Sequence, residues 1–155
     1  MSQTPKVLLV PVDGSDGSND AARYAAAIAA GLGVPLRLLH AFPKDPIDMF
    51  GLPTEAPRPE ELEYFSPDAF ARLRDQTAAK AFATTREAID ESAVEIEEKV
   101  ITGSPAEAIV EHAAGVEAPM IVIGRRGLSG FKELLLGSVS QRVLHHADCP
   151  VTVVR

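Results

Sequence analysis

Short β-branched or leucine-rich runs alternate with longer segments of helical period along this 155-residue chain. That alternation limits the fold more than any other feature, because it is the pattern of a parallel sheet whose strands are joined by covering helices. Lys6 to Val12 reads as a first strand, nearly continuous in apolar residues, as a central strand buried on both faces should be. An alanine-rich helix follows from Ser18 to about Leu32, with Gly31 and Gly33 marking its end. Pro35 to Ala41 is the second strand, Asp68 to about Ser92 a second long helix, and Val94 to Thr102 a third strand whose charged neighbours place it at a sheet edge. Ser104-Pro105-Ala106-Glu107 has the marks of a helix start, with serine as cap, proline at the first helical position and glutamate completing a capping box. That helix runs to about Ala114, before a fourth strand (Met120 to Ile123), a helix from Ser138 to His146 and a last strand (Val151 to Val154). The expectation is a single α/β domain of five strands and four helices.

Residues 43–67 break the pattern. They hold six of the twelve prolines, and Asp45, Asp48, Glu55, Glu60, Glu61 and Glu63 outweigh Lys44 and Arg58. Such a composition reads as an acidic loop or lid, poorly ordered on its own.

A chain of this length, 46% hydrophobic, has room for one sizeable core and no second domain. Its formal charge of −7 opposes non-specific binding to nucleic acid or to an anionic membrane, so any anion site has to be built locally. No segment approaches the ~18 apolar residues of a membrane span. The single cysteine, Cys149, rules out an internal disulfide, and the first apolar stretch is too short for a secretory signal, so a cytoplasmic setting is expected.

In open parallel sheets, ligands sit at the carboxyl ends of strands where the strand order reverses. Two loops qualify: Pro11-Val12-Asp13-Gly14-Ser15 after the first strand, and Gly124 to Gly137 after the fourth. Glycine at a strand exit permits close approach of a ligand and positive φ at little cost. Gly137-Ser138-Val139-Ser140 then opens a helix, whose first amides and macrodipole suit an anion. This is neither a P-loop nor a dinucleotide fingerprint. Residue types alone leave a second reading open, in which Gly124 and Gly127 make a plain turn and Gly137-Ser138 caps a helix.

The spacing Gly124-x2-Gly127-x9-Gly137-Ser138 resembles the ATP-binding signature of the universal stress protein family. The resemblance extends to Val10-Pro11-Val12-Asp13-Gly14-Ser15, to Gly103 through Ile109, to Ile121-Val122-Ile123-Gly124 and to His146 through Val151. It covers nearly all of the chain except residues 43–67. The resemblance implies a Rossmann-like domain of the adenine nucleotide alpha-hydrolase-like type, with a five-stranded parallel sheet in the order 3-2-1-4-5 and helices on both faces. It also implies a homodimer and membership of the ATP-binding branch. Adenine would then lie against Asp13 and the backbone near Ala41, with Pro11 and Val12 lining the pocket. Ribose and phosphates would lie along Gly124, Arg125, Gly127, Gly137, Ser138, Val139 and Ser140.

The residues themselves are compatible with those roles. Asp13 offers an acceptor for an amino group, although Asp-Gly-Ser is also ordinary turn chemistry. Arg125, Arg126 and Lys132 carry the positive charge the chain otherwise lacks, with Arg126 and Lys132 reading more readily as solvated loop surface. His40 reads as a packed or hydrogen-bonded histidine rather than a catalytic one. His112, His145 and His146 lack partners at metal-ligand spacing, so no metal site is expected. Cys149 reads as a small buried apolar residue. Hydrolysis requires a positioned water and stabilisation of charge at the γ-phosphate, and no clear set of groups for it stands out. The expected function is therefore an ATP or adenine-nucleotide sensor or switch in stress response, with or without Mg2+, slow or inert in hydrolysis and not an enzyme. The alternatives are a dimeric protein-interaction module with a vestigial pocket, and a weak ATPase or nucleotide-dependent transferase. Val151 to Val154, a short apolar edge strand, calls for a partner, and a homodimer through it is expected.

Overall fold

The computed structural model describes residues 3–51, 58–125 and 136–155. Five parallel strands, β1 (Val7–Pro11), β2 (Leu36–Phe42), β3 (Ile96–Thr102), β4 (Pro119–Gly124) and β5 (Val151–Val154), form one sheet in the order β3-β2-β1-β4-β5. The expected order is the observed one. The helices are α1 (Asp16–Leu32), α2 (Pro46–Phe50), α3 (Pro59–Leu62), α4 (Pro67–Glu87), α5 (Pro105–Ala114) and α6 (Ser138–His146).

Successive residues of a strand face opposite sides of a sheet, and the core divides accordingly. Leu8, Val10, Leu38 and Val122 pack with the alanines of α1 and with Phe82 of α4, whereas Leu9, Leu39, Ile121 and Ile123 pack with Ile109 of α5 and Val143 of α6. β1 and β4 are covered on both faces, which is why their sequences run without polar interruption. β3 is an edge, as its charges foretold, and Glu97, Glu98 and Lys99 blunt it.

The element ends follow local chemistry. α1 starts two residues earlier than Ser18 because Ser15 is the cap, its side chain accepting from the Ser18 N–H at 3.2 Å. It ends at Gly33, whose φ of 69° is the left-handed cap conformation. α4 stops at Glu87, short of the expected Ser92, and residues 91–93 form a separate single turn. β3 accordingly begins at Ile96 rather than Val94. Ser104 makes no side-chain cap hydrogen bond, so the start of α5 falls to Pro105 at the first helical position.

The acidic 43–67 segment also departs from the open loop that its prolines suggested. Among its described residues, Pro46 and Pro59 each sit at a first helical position, and the Asp45 carboxylate caps α2 by accepting from the Asp48 N–H at 2.9 Å. Phe50 of α2 stacks on Tyr64 with centroids 6.0 Å apart and meets Phe65 at 6.3 Å, which ties α2 to the single turn of residues 63–65 that follows α3. The segment's proline content is helix-starting as much as helix-breaking.

Candidate functional site

The chain leaves β1 toward β2 and β3 on one side, then returns to β4 on the other, so the strand order reverses between β1 and β4. Their carboxyl ends border a cavity of about 300 Å3. Pro11, Val12 and Asp13 line it from β1 and the turn after it, Leu39, His40 and Ala41 from β2, and Ile123 and Gly124 from β4. Pro105 and Ile109 of α5 close one wall, Gly137, Ser138, Val139 and Ser140 at the start of α6 another, and Ser18 of α1 completes the lining.

Nine residues singled out from the sequence therefore meet in one place: Pro11, Val12, Asp13, Ala41, Gly124, Gly137, Ser138, Val139 and Ser140. Arg125 is not among the lining residues. Its peptide instead joins two elements, its N–H donating to the Val154 carbonyl at 2.8 Å and its carbonyl accepting from the Gly137 N–H at 2.7 Å. Gly127, with Arg126 and Lys132, lies outside the described residues.

Asp13 takes the turn role that its sequence allowed and also faces the cavity. Its carboxylate accepts the Ser15 N–H at 2.9 Å and its own N–H donates to Ser18 Oγ at 3.3 Å, which shapes the turn through Gly14 at φ 82°. The same residue lines the cavity, as its only described carboxylate.

Gly124 works differently from the sequence expectation. Its φ lies outside the left-handed region, and the space a Cβ would need is filled by α1 rather than reserved for a ligand. A Cβ there would stand 2.5 Å from the Gly17 carbonyl oxygen and 2.8 Å from its carbon. Gly124 therefore lets α1 sit down on the end of β4, which brings the β1 turn and the β4 exit to one crevice.

Ser140, 3% exposed, donates its hydroxyl to the Gly124 carbonyl at 2.7 Å. That hydrogen is committed inside the protein, leaving exposed Ser138 as the hydroxyl donor at the helix start. Gly137 caps α6 without a side chain, and the Gln141 N–H is the donor that returns to the Gly137 carbonyl. The Ser138, Val139 and Ser140 amides come before that first intrahelical bond, at the positive end of the helix.

The sequence reading missed the cavity roles of Leu39, Ile109, Ile123, Pro105 and Ser18. Ile123 and Leu39 were visible only as core residues, and Pro105 and Ile109 arrive from a helix distant in the chain. Cys149 is half-buried and burial pushes its thiol up from the usual range, in keeping with a packing role. Among the described residues no group of three or more His, Cys, Asp or Glu is placed to hold a metal ion, and no helix is long and apolar enough to cross a membrane.

An open parallel sheet with a cavity at its switch point is the architecture of α/β nucleotide-binding domains. The family model described as the universal stress protein family matches residues 5–155. A universal stress protein from Thermus aquaticus is 38% identical over 152 residues, covering 97% of this chain and 98% of that one. Universal stress protein YxiE from Bacillus subtilis is 32% identical over 148 residues, 96% and 97% of the two chains. Among solved structures, universal stress protein UspA from Lactobacillus plantarum superposes with a TM-score of 0.73 at 25% identity, over 99% of this chain and 100% of that one. A universal stress protein in complex with cAMP superposes with a TM-score of 0.65 at 26% identity, over 99% of each chain. The chain belongs to the universal stress protein family.

Proposed function

We propose that the crevice binds an adenine nucleotide, ATP in the first instance, and that the protein acts as a nucleotide-responsive sensor or switch in stress response. The observation that carries this is the convergence of an apolar slot and a helix start on one cavity. Val12, Leu39, Ile109 and Ile123 offer a flat base a dry surface, while the first amides of α6 suit phosphate oxygens. The cAMP complex of a relative supports the same class of ligand. A bound nucleotide would supply a charged reporter group at the strand ends. Asp13 would accept from the base's amino group, Ser138 would donate to ribose or phosphate, and Ser140 would hold α6 in place for them.

The described lining contains one carboxylate, Asp13, and that group is engaged in its turn and assigned to the base. This supports a binding role with slow or no hydrolysis, whether or not Mg2+ accompanies the ATP. The half-exposed edge strand β5 supports a homodimer formed through Val151–Val154. The net charge of −7 supports the absence of a nucleic-acid partner, and the lone cysteine supports a cytoplasmic setting. β2, which contributes Leu39, His40 and Ala41 to the cavity, is followed in the chain by residues 43–67, and that segment is read as a lid that reports occupancy.

Thermal denaturation with and without nucleotide tests the proposal. At a hundredfold excess over the dissociation constant, ATP should stabilise the fold by about 2.7 kcal/mol. An unchanged melting curve at millimolar ATP, AMP and cAMP contradicts it. Equal hydrogen-exchange protection of residues 43–67 with and without MgATP would sink the lid.

A further inference from the structure

β2 alternates its peptide groups between its two neighbours, as a parallel strand must. The Leu8 N–H donates to the Pro35 carbonyl at 3.1 Å and the Val12 N–H to the Leu39 carbonyl at 2.8 Å. On the other side, the Leu36 N–H donates to Glu95 and Phe42 accepts from Gly103, each at 2.9 Å. Odd-numbered residues of β2 therefore address β1, and Ala41 is the next of them. One more rung would join the Ala41 N–H to the Val12 carbonyl.

That rung is replaced. His40 Nδ1 lies 2.9 Å from the Val12 oxygen, and because a carbonyl only accepts, Nδ1 carries the proton and donates. The ring is fixed for this task. His40 is 7% exposed on the α1 and α4 face, edge-on to Phe82 with centroids 6.2 Å apart and planes at 77°.

We infer that His40 is a positioning residue that ends the β1–β2 ladder one rung early, leaving the Ala41 amide at the crevice to select the ligand's base. A free amide at that strand end donates to the ring nitrogen of adenine that bears a lone pair, and opposes guanine, which presents an N–H there. The inference rests on the adenine-nucleotide reading for its ligand, but not for its geometry.

Two measurements test it on the full chain. The first needs no nucleotide: amide exchange of Ala41 by NMR in the wild type, H40L and H40N. The asparagine Nδ2 stands where His Nδ1 stood, so H40N should match the wild type, while in H40L the released Val12 carbonyl should capture the Ala41 amide and slow its exchange about tenfold or more. Unchanged exchange in H40L overturns the inference. The second measurement titrates ATP and GTP. H40L should lose about tenfold in ATP affinity with GTP little changed, and H40N should restore ATP binding to within about threefold. Parallel loss of ATP and GTP points to general loosening and also overturns it. Should H40L fail to fold, H40N against H40Q decides, since glutamine carries its amide one atom too far and should behave as the broken variant. A wild-type chain that binds neither nucleotide overturns the proposed function alone, and the Ala41 exchange still settles the role of His40.

Discussion

The Ser140 hydroxyl donates to the Gly124 carbonyl at 2.7 Å, fastening the first turn of α6 to the last residue of β4. Two serines two residues apart thus differ in setting, Ser140 buried and committed and Ser138 exposed. Ser140→Ala leaves a buried acceptor without this donor and should lower stability by about 1 to 3 kcal/mol. Ser138→Ala removes an exposed hydroxyl and should leave stability within about 0.5 kcal/mol of the wild type while weakening nucleotide binding. Urea unfolding paired with calorimetric titration distinguishes them; equal stability losses would refute the division.

Gly124→Ala should be destabilising although alanine is small. Its Cβ would meet the Gly17 carbonyl at 2.5 Å, and both partners are backbone held by a strand and a helix start. Overpacking of this kind costs about 1 to 3 kcal/mol, and the rigid neighbours place this site at the upper end. Had Gly124 served only close ligand approach, the variant would keep its urea midpoint and lose affinity alone.

His112 gives a pH dependence whose sign follows from its surroundings. Burial, and then the charges of Arg37 and Lys99, hold its pKa below the ordinary value, and Arg37 Nη1 lies 3.3 Å from its Nε2 while Arg37 Nε pairs with Glu97 at 2.7 Å. A base with a depressed folded pKa contributes stability that is present above its unfolded value and lost as pH falls through the folded one. The wild type should therefore lose stability from about pH 6.5 downward, and more steeply than His112→Gln. Urea midpoints of both proteins between pH 8 and pH 5 test this, and parallel curves would remove His112 from the account.

Much of this was legible in the residues. The unbroken apolar run of β1, the glycine cap at Gly33 and the charged edge of β3 each state their place locally. The meeting of Asp13, Gly124 and Ser138 follows from the position of their loops after β1 and β4. What stayed hidden lives between elements. Nothing in the spacing of glycines says that Gly17 of α1 occupies the space over Gly124, that Ser140 spends its hydroxyl on that same residue, or that His40 reaches across to Val12. The helices α2 and α3 were obscured for another reason, since proline breaks a helix interior yet starts a helix at its first position.

The proposed function has these strand ends and the start of α6 holding an adenine nucleotide. Denaturing mass spectrometry of the purified protein, followed by titration of ATP into the wild type and Asp13→Ala, tests it most directly. The wild type should release an adenine nucleotide or bind ATP saturably, and the variant should bind it clearly more weakly. No released nucleotide together with no saturable binding of ATP, AMP or cAMP by the wild type would contradict it.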